Sequence, residues 1–172
     1  MAAQIPSNGL NIDKGLSFPA TVSAQSGGNV LDDYEEGTWT PVIGNNGGSE
    51  SMTLNSTYSG TDKAYYTKTG RLVTVTGYIV ITGNGTHANS GTYINGLPFA
   101  INNTTSGYPA LSVGYLENVN LQQYESIAGY GRVNNSNIVL WRFDTTGGGT
   151  SLERDELSSD GAFIFTMTYH TD

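Results

Sequence analysis

The feature that most constrains this chain is a strict two-residue alternation in its middle and again at its end. In Leu72-Val73-Thr74-Val75-Thr76-Gly77-Tyr78-Ile79-Val80-Ile81, Val73, Val75, Ile79 and Ile81 share one face, and Thr74, Thr76 and Tyr78 share the other. Successive side chains of an extended strand point to opposite faces, whereas the apolar residues of an amphipathic helix recur every three or four positions. The run is therefore a half-buried antiparallel strand. Near the C-terminus Phe163, Phe165, Met167 and Tyr169 alternate with Ala162, Ile164, Thr166 and Thr168. This second long strand turns an aromatic face to the core, where rings contribute the most buried area.

Shorter runs of the same kind occupy residues 39–43, 52–58, 64–68, 93–95, 110–116, 126–133 and 137–143, with Asn, Gly and Ser clusters between them. The last two flank Asn134-Asn135-Ser136 and read as a hairpin. Eight or nine short strands at regular spacing predict an all-β antiparallel sandwich, jelly-roll-like. One two-turn helix is expected, because Thr150 stands three residues before Glu153 in a capping-box arrangement ahead of Leu152 to Leu157. Trp39 is expected to plug one end of the sandwich.

Residues 1–33 differ from the rest. Their few apolar side chains, Ile5, Leu10, Ile12, Leu16 and Phe18, cannot close a core, but they can anchor an extended segment to another surface. The expected organisation is an attachment segment over 1–33 and a sandwich over 34–172.

The 172 residues carry 15 acidic and 7 basic side chains, a net charge of -8, so a nucleic-acid backbone would be repelled and no such partner is expected. No apolar run approaches the roughly 20 residues of a membrane span, and the start lacks the basic-then-apolar pattern of a secretory signal, so membrane insertion is not expected. The absence of Cys excludes disulfides, thiolate metal sites and cysteine nucleophiles.

Other chemistry is as thinly supplied. There is no G-x-S-x-G elbow, and His87 and His170 are the only histidines. A metal could be held only if copies of one His met on a threefold axis, so no metal or cofactor is expected. Asp32, Asp33, Glu35 and Glu36 lack the spacing of a calcium loop. Gly147-Gly148-Gly149 is followed by no Lys-Ser or Lys-Thr and is not a phosphate loop. Asp144, Glu153, Asp155, Glu156 and Asp160 are the carboxylates from which a glycosidase pair would have to come. What remains is a surface of Asn, Thr, Ser, Gly and 11 Tyr, suited to sugars through amide and hydroxyl hydrogen bonds and ring stacking.

Four stretches carry a more specific signal. Leu31-Asp32-Asp33-Tyr34-Glu35-Glu36-Gly37-Thr38-Trp39-Thr40-Pro41, then Tyr66-Thr67-Lys68-Thr69-Gly70-Arg71-Leu72-Val73, then Ile94-Asn95-Gly96-Leu97-Pro98-Phe99, and finally Phe163 to Tyr169 resemble, in order, the successive pieces of a β-sandwich module of tailed-bacteriophage fibre and related virion proteins. The resemblance implies a non-enzymatic structural protein on the phage particle: a homotrimeric tail fibre or receptor-binding protein. It implies attachment to a neighbouring tail, baseplate or capsid protein, with distal loops that touch a host glycan or protein. The loops at 44–51, 83–91, 102–108 and 144–150 fall outside the resemblance, and Asn45, Asn46, Asn84, Asn103, Tyr108 and Thr146 are their receptor-facing candidates. A capsid decoration protein or head fibre built on the same module is the alternative, and a capsule-degrading enzyme is the reading from another class.

Overall fold

The computed structural model describes residues 34–55, 64–85, 91–103, 107–121 and 125–172. The attachment segment expected over 1–33, with Ile5, Leu10, Ile12, Leu16 and Phe18, lies outside the described residues, as does His87.

Among the described residues eleven strands follow one another: β1 Tyr34–Trp39, β2 Val42–Gly44, β3 Thr53–Leu54, β4 Ala64–Thr69, β5 Leu72–Gly83, β6 Tyr93–Asn95, β7 Ala110–Val119, β8 Ser126–Gly131, β9 Asn137–Phe143, β10 Gly149–Ser151 and β11 Leu157–His170. Every pairing is antiparallel, in the order β1-β4-β5-β11-β7-β8-β9-β6-β2, with β10 added beside β9 and β3 beside β5. The expected all-β antiparallel fold is realised as one sheet curled over its own core.

The curl follows from the connectivity. The end strands β1 and β2 lie at opposite edges of the sheet, yet only Thr40-Pro41 joins them. Three Cα–Cα steps of about 3.8 Å reach at most about 11 Å, so the edges must meet. Sequence periodicity ran 39–43 together as one strand. Pro41 has no N–H to give a ladder, so the run divides there between two edges.

The two long strands form the spine. Val73, Val75, Ile79 and Ile81 of β5 and Phe163, Phe165, Met167 and Tyr169 of β11 are all buried, as the alternation predicts. Gly77 sits among the β5 set because a Cβ there would stand 2.6 Å from the Phe165 ring. Trp39 is buried and meets Phe165 edge to face, their centroids 6.2 Å apart. Truncating Phe163 or Phe165 to Ala should cost about 3–5 kcal/mol.

The predicted helix after Thr150 is not formed. Thr150 lies in β10, and a single 3-10 turn, Arg154–Glu156, follows, capped reciprocally by Glu153 and Glu156. Leu152, Arg154 and Leu157 are all fully buried, and an α-helix would put Arg154 and Leu157 on one face and Leu152 nearly opposite them. An extended–turn–extended path buries all three, with the Arg154 guanidinium 2.7 Å from Glu50 Oε2.

Candidate functional site

Strand β9 is apolar on both faces. Ile138 and Leu140 point into the core, while Val139, Trp141 and Phe143 alternate with them on the outer side. Register sets their neighbours: Tyr130, Ala128 and Ser126 of β8 lie opposite Val139, Trp141 and Phe143, and on the far flank Ser151 and Gly149 of β10 lie opposite Trp141 and Phe143. The Tyr130 ring stands 6.2 Å from that of Trp141 and 5.8 Å from that of Tyr108, the latter edge to face. Tyr108, Tyr130, Trp141 and Phe143 thus make a continuous aromatic strip whose two ends are open to solvent, Tyr108 at 55% and Phe143 at 46% exposure.

A shallow hollow of about 290 Å³ opens on this strip, lined by Gly129, Tyr130, Trp141, Phe143 and Gly149. Gly149 keeps it open: a Cβ there would stand 2.8 Å from Phe143 Cε1 and 3.2 Å from Trp141 Cε3. The loop before Gly149 is shaped by Asp144. Its Oδ1 accepts hydrogen bonds from the Thr146 hydroxyl at 2.7 Å, the Thr146 amide at 2.8 Å and the Gly148 amide at 3.3 Å. These bonds, the Thr146 hydroxyl foremost, hold the Asp144 carboxyl below the usual carboxylate range. Gly147, at φ 88, makes the turn that side chains disfavour.

At the other end of the same outer face Tyr93 of β6 lies opposite Val139, and the Arg132 guanidinium stacks over its ring at 6.0 Å. Arg132 Nη1 donates to Asn46 Oδ1 at 3.0 Å, and Asn137 Nδ2 donates to the same oxygen at 3.3 Å. Asn45 Oδ1 accepts from the Glu50 amide and the Ser49 hydroxyl, both at 3.3 Å. The loop at 45–50 is therefore held in place by the side chains first considered for receptor contact.

The six loop candidates do not converge. Tyr108 forms one end of the strip and Thr146 shapes the loop at the other, while Asn45 and Asn46 tie down the loop beyond Tyr93. Asn84 lines a separate open hollow of about 530 Å³ with Asn118, Asn120, Asp155 and Asp160. Asn103 follows Asn102, which lines a third hollow, of about 300 Å³, with Tyr108, Thr168 and His170. Tyr130, Trp141 and Phe143 lie on strands, outside the loops that the sequence marks as receptor-facing. Their signal was the second apolar face of the run Ile138-Val139-Leu140-Trp141-Arg142-Phe143.

The carboxylates considered for glycoside hydrolysis have local partners. Glu156 pairs with Arg142 at 2.9 Å and accepts from the Glu153 amide at 2.8 Å. Asp160 accepts from the Ser158 hydroxyl at 2.5 Å and from Asn118 Nδ2 at 3.3 Å. Among the described residues no three His, Asp or Glu side chains gather as a metal site would require, and no helix is long and apolar enough to cross a membrane.

No protein-family model matches the chain, and no curated protein matches it. Among solved structures, the Dettilon tailspike protein is similar in fold. The match has a TM-score of 0.65 at 17% identity and covers 80% of this chain. The chain corresponds to 24% of the tailspike's length.

Proposed function

We propose that this chain is the receptor-recognising module of a bacteriophage tail fibre or tailspike-like appendage, and that it binds a glycan of the bacterial surface on the strip from Tyr108 to Phe143. The strip is the observation that carries the proposal. Aromatic faces stack on the apolar faces of sugar rings, and the Ser126 and Ser151 hydroxyls on the flanking strands, opposite Phe143 and Trp141, stand where ring hydroxyls need partners. Trp141 and Phe143, two residues apart on one strand face, repeat at about 7 Å, a spacing that lets one oligosaccharide touch both. The ordered motif resemblance and the fold similarity to the Dettilon tailspike protein both favour a virion appendage. In this role residues 1–33 attach the module to a neighbouring virion protein.

Binding without turnover is the activity that suits these side chains. A glycosidase needs a general acid whose pKa is raised, and Asp144, the carboxylate beside the strip, is shifted down. The test is binding of the full chain to an array of bacterial surface polysaccharides and of oligosaccharides cut from them. Tyr108→Ala and Phe143→Ala, at exposed positions that leave the core intact, should each weaken binding about tenfold. Full affinity in the double variant would move the site elsewhere, and release of reducing ends from a bound polysaccharide would make the protein an enzyme.

A further inference from the structure

Beyond Tyr130 the face that carries the aromatic strip ends in a cation. Arg132 follows Tyr130 by two residues, about 7 Å of extended chain. It is fixed from two sides, with its guanidinium stacked over Tyr93 at 6.0 Å and its Nη1 donating to Asn46 Oδ1 at 3.0 Å. Asn46 is held in turn by Asn137, whose Nδ2 donates to the same oxygen. Both partners of Arg132 are neutral. Arg142, by contrast, pairs with Glu125 at 3.0 Å and Glu156 at 2.9 Å, and Arg154 pairs with Glu50 at 2.7 Å. Among the described residues no carboxylate lies within ion-pair distance of Arg132, and its Nε and Nη2 have no hydrogen-bond partner. In a chain with 15 acidic and 7 basic side chains, this cation keeps its charge uncompensated. Charge is therefore ordered along the strip, with Arg132 beyond Tyr130 at one end and Asp144 after Phe143 at the other.

We propose that Arg132 holds the carboxylate of a sugar acid, so that the glycan on the strip is an acidic one, its acidic unit at the Tyr93 end and neutral units toward Phe143. The inference rests on the glycan reading and adds to it the chemical class and the direction of the ligand. A guanidinium is planar, and its N–H groups form a fork that matches the two oxygens of a carboxylate. The bond from Nη1 to Asn46 leaves the edge formed by Nε and Nη2 available for that pairing. Stacking on Tyr93 and the bond to Asn46 hold the fork in place before a ligand arrives, so little side-chain freedom is lost on binding. Repulsion from the distant carboxylates is screened beyond about 8 Å at physiological salt, and the nearest charge decides. At the Phe143 end the nearest charge is the Asp144 carboxylate, which disfavours a second acid there.

The test is calorimetric titration of the full chain with bacterial oligosaccharides that carry one uronic acid unit, each beside a copy whose carboxylate has been reduced to the primary alcohol. The wild type should prefer the acid about tenfold. Added salt should shrink that preference and leave the affinity of the reduced copy unchanged, a readout that needs no variant. Arg132→Gln should abolish the preference, and Arg132→Lys should keep part of it, because the charge remains while the fork is lost. Both variants should bind the reduced copy as the wild type does, which loss of a purely structural contact would not allow. Equal binding of acid and reduced copy by the wild type, with Tyr108→Ala weakening both, would overturn this inference and leave the glycan reading standing. A preference that survives Arg132→Gln would overturn it as well. Binding of neither copy would remove the glycan reading, and this inference with it.

Discussion

The two outer faces of this sheet share one curled backbone and differ in what their outward positions carry. On the β4-β5-β11-β7 side the rows Thr67-Thr74-Thr168, Tyr65-Thr76-Thr166-Ser112 and Tyr78-Ile164-Tyr115 carry hydroxyls and no charge, and Glu117 stands at their margin. The β8-β9-β10 side carries Tyr130, Trp141 and Phe143 around a hollow, with Tyr108 against Tyr130, and a loop braced by Asp144. Rings around a small hollow favour a compact ligand that is part apolar and part hydroxylated, which rows of hydroxyls do not. The two regions adjoin: β7 pairs with β8, and Tyr108 of the strip lines one hollow with Thr168 of the hydroxyl rows.

The comparison can be broken experimentally, and the largest effect should come at the hollow. Gly149→Val should fill it and press on Phe143 and Trp141, weakening oligosaccharide binding about tenfold and costing about 1–3 kcal/mol of stability. Calorimetry and thermal unfolding read the two effects separately. Ile164→Glu, in the hydroxyl rows, should leave oligosaccharide affinity unchanged.

A smaller effect follows from pH. Because the Asp144 pKa is lowered in the fold, the carboxylate's contribution is complete above the unfolded carboxylate pKa and is lost as pH falls through the folded value. Oligosaccharide affinity should therefore decline at acid pH, and Asp144→Asn should show a weaker decline. At the alkaline end Tyr66, whose hydroxyl donates to Glu35 at 2.5 Å, has its pKa pushed up to about 12. Its contribution to the β1–β4 edge is complete below the ordinary tyrosine pKa and fades as pH rises toward the folded value. Glu35→Gln should bring the Tyr66 titration, followed by ultraviolet absorbance, back toward the ordinary range.

Much of the framework was legible in the sequence because alternation reports burial directly. Val73 to Ile81 and Phe163 to Tyr169 face the core as their spacing requires, and the hairpin about Asn134 to Ser136 forms. The break at Thr40-Pro41 was less visible, since only the closure of the sheet shows that 39 and 42 belong to opposite edges. The Thr150 helix failed because local capping chemistry was outweighed by tertiary burial of Leu152, Arg154 and Leu157. The candidate site was partly legible: Tyr108 was picked from its loop, while Trp141 and Phe143 were absorbed into a strand that seemed wholly structural. Loop amides such as Asn45 and Asn46 attracted attention as ligand contacts, yet their bonds go to Ser49, Glu50, Arg132 and Asn137.

The most direct test of recognition at the strip uses the chain's two tryptophans, one in the core and one in the strip. Trp39→Phe leaves Trp141 as the sole indole reporter, and its emission can be followed while bacterial surface oligosaccharides are titrated in. The account predicts a saturable change in Trp141 emission that tracks calorimetric binding and disappears in Tyr108→Ala, Phe143→Ala. An oligosaccharide that binds by calorimetry while Trp141 emission stays unchanged would contradict it.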